Sequence, residues 1–135
     1  MFPAAILRVY PPSRRIAALP CVLVVEDDAD VLSVVLEFLR AAGYSVLSAA
    51  SAEQARGLLG TETIDLALID CLMAGEQGNS LAEHASKLGV PTILTSGNPH
   101  YLESVTAQSF PFLAKPFRLT ALDELIARTL RAVGE

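Results

Sequence analysis

Five polar residues stand where apolar runs end. Glu26 and Asp27 follow Cys21-Val22-Leu23-Val24-Val25, and Asp70 closes Leu66-Ala67-Leu68-Ile69. Ser96 follows Pro91-Thr92-Ile93-Leu94-Thr95, and Lys115 follows the run Phe110 to Ala114. An acid at a strand end is commonplace, usually a solvated turn or a helix cap, and Asp28 is read that way. Groups at the same end of successive strands are harder to dismiss. Three carboxylates converging in a partly buried crevice repel strongly. A hard divalent cation with oxygen ligands relieves them, and so does a lysine ammonium. Magnesium suits such a place because it takes one or two carboxylates, keeps several waters and leaves positions for phosphate oxygens.

The elements between these residues alternate in kind. Cys21–Val25 is a short β-branched run of the sort buried on both faces of a sheet. Val31, Leu32, Val35, Leu36 and Leu39 then make a helical stripe that Gly43 stops. Tyr44–Ser48 is a second, more polar strand. Ser51-Ala52-Glu53-Gln54 has the form of a capping box opening a helix through Leu58 and Leu59 to Gly60. Leu66–Asp70 is a third strand, Leu81–Leu88 a helix ended by Gly89, and Pro91–Thr95 a fourth strand. Pro99 is expected to start a short helix through Leu102 and Val105, ending near Gln108. Phe110–Ala114 is the fifth strand, and Thr120 is expected to cap a last helix carrying Leu122, Leu125, Ile126, Thr129 and Leu130. Five strands alternating with five helices predict an α/β domain, a doubly wound parallel sheet with helices on both faces. Ligands of such sheets bind beyond the carboxyl ends of the strands, where the five polar residues fall.

The bulk numbers agree with one folded domain. The chain has 135 residues, 52% of them hydrophobic and 19% charged, enough to bury about two-thirds of its unfolded surface. A net charge of −5 speaks against intrinsic nucleic-acid binding, which wants a basic face. Cys21 and Cys71 form neither a disulfide framework nor a zinc spacing, so a cytoplasmic setting is expected. Cys71 is read as a small buried filler. Residues 1–19, broken by Pro3, Pro11, Pro12, Arg8, Arg14 and Arg15, contain no uninterrupted apolar stretch of signal-peptide length and no membrane span. They are expected to be a poorly ordered extension, with residues 20–135 as the domain. His84 and His100 lie in no metal-ligand pattern.

Over Val22 to Leu130 the sequence resembles the receiver domains of bacterial two-component response regulators. Val24-Val25-Glu26-Asp27-Asp28 is similar to the family's first-strand acidic motif. Asp70-Cys71-Leu72-Met73-Ala74-Gly75-Glu76-Gln77-Gly78 resembles its phosphorylation motif, with the glycine eight residues past the aspartate. Thr95-Ser96-Gly97 matches the switch hydroxyl and its small neighbour, Lys115-Pro116-Phe117 matches the Lys-Pro, and Phe112 falls on the switch aromatic. The resemblance implies a flavodoxin-like sheet of strand order 2-1-3-4-5. It also implies that Asp70 accepts a phosphoryl group, with Lys115 paired to it across a cis bond before Pro116. Mg²⁺ would be held by Glu26, Asp27, Asp70 and the backbone carbonyl of Leu72. Ser96 and Phe112 would report the phosphorylated state, and Gly97 would leave room for the phosphoryl group.

The implied function is a stand-alone, non-enzymatic switch in a histidine-to-aspartate phosphorelay. A sensor histidine kinase or histidine phosphotransfer protein would be the phosphodonor and a downstream effector protein the recipient, with a homodimer as a further expectation and neither nucleic acid nor membrane as a partner. A phosphorylation-independent pseudo-receiver is the alternative. A magnesium-dependent phosphatase of the aspartate-nucleophile type would need a second Asp two residues on, where this chain has Leu72. Three departures stand out. Ala74 replaces the family's usual proline, which makes the loop less stiff, and the Ser96–Lys115 interval is shorter than usual. Leu72, with Asn98, occupies a position that governs how water reaches the phosphoryl group, and an apolar side chain cannot orient water. Replacing Leu72 by Asn should therefore speed phosphate release from the acyl phosphate; an unchanged or slower release in a phosphate assay would refute this.

Overall fold

The computed structural model describes residues 19–73, 76–98 and 110–134. Its strands are β1 (Cys21–Val25), β2 (Ser45–Ala49), β3 (Leu66–Asp70), β4 (Leu72–Met73), β5 (Glu76–Gln77), β6 (Thr92–Ser96) and β7 (Phe112–Ala114). The described helices are α1 (Ala29–Ala41), α2 (Ala52–Thr61), α3 (Gly78–Lys87) and α4 (Leu119–Gly134). The main sheet is parallel in the order β2-β1-β3-β6-β7. This is the expected 2-1-3-4-5 order of a flavodoxin-like fold, counted over its five strands.

Side-chain alternation along the strands divides the core into two layers. Val22, Val24, Leu66, Leu68 and Ile93 face α1 and α4, where they meet Val35, Leu39, Leu122, Ile126 and Leu130. Leu23, Val25, Ala67, Ile69 and Leu94 face the opposite way, against α2 and α3. The buried helix residues on that second face include Ala52, Ala55, Ala82 and Ala85, whose small side chains let both helices lie close to the sheet.

Local chemistry sets the helix ends. Asp28 caps α1, its Oδ1 accepting from the amides of Asp30 at 3.0 Å and Val31 at 3.2 Å. Gly43, at φ 101°, and Gly89, at φ 81°, take the left-handed conformation that ends α1 and α3. At each, the glycine amide and the next amide return to carbonyls of the last turn: Gly43 to Arg40, Tyr44 to Leu39, Gly89 to Ser86 and Val90 to Ala85. Ser51 Oγ accepts from Gln54 N at 3.1 Å, while Gln54 Oε1 accepts from Ala50 N at 2.8 Å. The box thus closes one residue earlier than its usual form.

Several expectations shift. Gly60 does not stop α2, which runs to Thr61 and ends at an extended Glu62. Thr120 lies inside the first turn of α4, and Arg118 supplies the first accepting carbonyl, to Leu122 N at 3.1 Å. β2 and β6 begin one residue later than expected, β7 is shortened to three residues, and α3 starts at Gly78 rather than Leu81. The antiparallel pair β4–β5, matching Leu72 with Gln77 and Met73 with Glu76, is a feature that two-residue strands do not announce. The helix expected over 99–108 and the extension over 1–18 lie outside the described residues.

Gly78 fixes the chain that follows Asp70. Its amide donates to Cys71 O at 3.0 Å. A Cβ there would stand 2.7 Å from Cys71 Cα and closer still to the Asp70 carbonyl oxygen. These neighbours are backbone and cannot swing away. Gly78→Ala should lower unfolding stability by about 1–3 kcal/mol; urea denaturation giving a change below about 0.5 kcal/mol would refute the close-approach argument.

Candidate functional site

The parallel ladder carries the polar residues to one end of the sheet. Glu26 N donates to Ala49 O at 3.0 Å, Cys71 N to Thr95 O at 2.8 Å, and Lys115 N to Ser96 O at 2.8 Å. Each strand is thereby extended one residue past its last pair, which places Glu26, Asp70, Ser96 and Lys115 around the carboxyl ends of β1, β3, β6 and β7. Glu26, Asp70 and Ser96 are buried, at 5%, 6% and 2% exposure, whereas Asp27 is exposed.

Lys115 reaches across β1 and β3. Its Nζ lies 2.5 Å from Glu26 Oε1 and 3.0 Å from Asp70 Oδ2, and the Lys115–Pro116 bond is cis. The remaining oxygens of the two carboxylates meet backbone amides. Leu72 N donates to Asp70 Oδ1 at 3.1 Å, and Asp28 N to Glu26 Oε2 at 3.3 Å. Burial pushes the Glu26 carboxyl above its ordinary value; the Lys115 hydrogen bond opposes this, and the neighbouring Asp70 reinforces it. Burial alone would lower Lys115, but its hydrogen bonds to Glu26 and Asp70, with their charges, hold the ammonium above its usual value. The Cys71 thiol is pushed up to about 12, first by burial and then by Asp70, against the pull of Lys115. Buried and protonated, it fills space, as its position in the core requires.

One oxygen from each of Glu26, Asp27 and Asp70 lies within 4.8 Å of the others. Three hard oxygen donors at this spacing fit a hard divalent cation better than a thiophilic one. Leu72 is half exposed beside them. Ser96 Oγ accepts from Asn98 N at 3.0 Å. Among the described residues, a Cβ on Gly97 would come within 4 Å of Lys115 Cβ alone, at 3.9 Å. Phe112 opposes Leu94 in the β6–β7 ladder and packs, partly buried, against the core layer under α2 and α3. Sequence reasoning missed a feature next to this cluster, an open groove of about 770 Å³. Gly97 and Lys115 form its inner end, and Val31, Val34, Phe117 and Leu119 its walls. The signal for it was Val34, an apolar residue off the core stripe of α1.

The family model for the response regulator receiver domain matches residues 22–127. The chain belongs to that family. Among solved structures, this receiver resembles the CheY-like receiver domain protein of Methanospirillum hungatei, with TM-score 0.81 and 29% identity, covering 86% of this chain and 97% of that one. It also shares its fold with the response regulator TrrA of Thermotoga maritima, determined in complex with Mg²⁺-BeF (TM-score 0.76, 24% identity, 82% and 99% covered). Among curated proteins, the C4-dicarboxylate transport transcriptional regulatory protein DctD of Rhizobium meliloti is 31% identical over 121 residues, which is 86% of this chain and 26% of that protein. The receiver spans a quarter to about half of the length of the curated relatives it matches. Among the described residues, no helix is long and apolar enough to cross a membrane.

Lys115 is paired with two of the three carboxylates that a cation would use. Lys115→Met keeps the apolar stem and removes the charge, so Mg²⁺ should bind on the order of tenfold more tightly. Calorimetric titration showing equal or weaker binding would refute this.

Proposed function

We propose that this receiver is a phosphoryl-accepting switch in a histidine-to-aspartate relay, with Asp70 as the acceptor. The observation that carries the reading is the pairing of one buried carboxylate, Asp70, with both a lysine ammonium and two further acids at cation-binding distance. An ion pair serving stability alone gains nothing from three converging carboxylates. A site that must take up a metal and a phosphoryl dianion needs both.

Asp70 Oδ would attack phosphorus as the bond from phosphorus to the donor histidine nitrogen breaks; with the other ring nitrogen of the donor protonated, the products are an acyl phosphate on Asp70 and a neutral imidazole. Asp27, Glu26 and the Leu72 carbonyl would join Asp70 in holding Mg²⁺, and the ion would supply positive charge to balance the phosphoryl oxygens. Support for that ion comes from the oxygen donor set and from the Mg²⁺-BeF complex of the fold neighbour TrrA. Lys115 already reaches Asp70 and would pass to a phosphoryl oxygen as a point charge. The group would sit beside Gly97, and the Leu72 amide steadies the attacking carboxylate.

Signalling follows from a population shift between two packings. Ser96 Oγ accepts from the Asn98 amide at 3.0 Å, which leaves its hydroxyl proton to donate to a phosphoryl oxygen once the side chain swings toward the group. That movement draws the chain after β6 and frees the half-buried Phe112 to turn inward. The donor is a sensor histidine kinase or a histidine phosphotransfer protein, the setting cytoplasmic, and the output a contact with an effector protein. Incubation with Mg²⁺ and acetyl phosphate should add one acid-stable, base-labile phosphoryl group, seen as a single mass increment and absent from Asp70→Asn. No labelling, or labelling that survives Asp70→Asn, would overturn the proposal.

A further inference from the structure

The two edges of the main sheet are protected unequally. At one, β7 has three residues and stands between Pro111 and Lys115-Pro116, the short, charged and proline-flanked form that keeps a strand edge from pairing. At the other, β2 has five residues. Residues 41–52, which contain it, include no Asp, Glu, Lys, Arg or Pro. Ser45 and Ser48 are exposed, and Val46 and Leu47 are only partly buried.

The backbone of β2 has bonds left to make. Ser45 N donates to Pro20 O and Glu26 N to Ala49 O, so Ser45, Leu47 and Ala49 turn their amides and carbonyls toward β1. Val46 and Ser48 alternate with them and turn theirs outward, where among the described residues nothing pairs with them. The amides on either side are already used, Tyr44 N by Leu39 O and Ala50 N by Gln54 Oε1. Two donors and two acceptors thus stand together on an uncharged edge. A second β2 laid antiparallel about an axis at Leu47 matches all of them. Val46 of each copy exchanges both its bonds with Ser48 of the other, which makes four hydrogen bonds. An axis at Val46 or at Ser48 would need the Tyr44 or Ala50 amide, and both are engaged.

We infer that β2 is an interface between two copies of this chain, which pair edge to edge about a twofold axis at Leu47 and join their five-stranded sheets into one. The inference is independent of the function proposed above. The same patch serves both copies, as a twofold contact requires, and no charge of one strand opposes a like charge of the other. On the α2 face of the sheet Leu47 meets its counterpart, and on the α1 face each Val46 stands opposite a Ser48. Four hydrogen bonds and these partly buried side chains make a small interface, so the dissociation constant is on the order of 100 µM.

Sedimentation velocity of the full chain from about 5 to about 500 µM tests this, together with amide hydrogen exchange at Val46 and Ser48. The parent chain should pass from monomer to dimer over that range, and exchange at the two amides should slow as the dimer forms. Ser48→Lys brings an ammonium from each copy close to the axis. Ser48→Pro removes one outward donor from each copy and leaves the β1–β2 ladder intact. Each should weaken dimerisation on the order of tenfold, while Ser48→Thr should associate like the parent; thermal melting checks that each variant keeps the fold. A parent chain that stays monomeric throughout overturns the proposal. So does a dimer that Ser48→Lys leaves unchanged, which puts the contact on another face. Amides of Val46 and Ser48 protected equally at every concentration also overturn it, in favour of a cover from within the same chain. None of these readouts needs phosphate on Asp70, so failure here leaves the phosphoacceptor reading to its own experiment.

Discussion

The buried carboxylates of Glu26 and Asp70 cannot share the crown of the sheet without a cation. In the structure Lys115 supplies it, bonding both. Burying an ion pair gains little net stability, because the desolvation of each charge offsets most of the attraction. A core of valine and leucine would close this end of the sheet more cheaply. Three acids and a lysine stand there instead, with the charges of Glu26 and Asp70 balanced by Lys115. The raised values of Glu26 and Lys115 express the same tension, one group burdened by burial and a neighbouring acid, the other held charged by its partners.

The rest of the architecture serves that constraint. A parallel sheet brings four strand ends to one place, and its central strands, covered on both faces, leave the rim as the natural outlet for polar groups. Gly78 lets the chain beyond Asp70 fold back against the Asp70 and Cys71 backbone. Asp28 shares the acidic run with Glu26 and Asp27 yet does a different task, capping α1. Three consecutive acids therefore separate into a buried ion-pair partner, an exposed carboxylate near it and a helix cap.

Membership of the receiver family is what the matched residues 22–127 establish, and it agrees with the motifs read from the chain. What those motifs carried best was chemistry at strand ends: Glu26, Asp27, Asp70, Ser96 and Lys115 were each legible because a polar residue after an apolar run is conspicuous. Less visible were features made by backbone alone. Gly60 resembled a helix stop but lies within α2, since a glycine ends a helix only where the chain takes the left-handed conformation, as at Gly43 and Gly89. Thr120 resembled a cap, but the chain leaving Pro116 is already helical at Leu119.

The sequence by itself determined the periodicities, the order of elements and the identity of the charged groups, because these depend on neighbours a few residues apart. Only the tertiary structure decided which groups touch. That Lys115 bridges Glu26 and Asp70, 89 and 45 positions away, depends on β3 lying beside β1 and on β6 lying between β3 and β7. The groove beside α1 is of the same kind. Val34 and Phe117 are unremarkable in sequence and become a surface only when α1 packs next to the chain after β7. Long-range pairing, set by burial of both faces of the sheet, converts a list of acids and a lysine into a site.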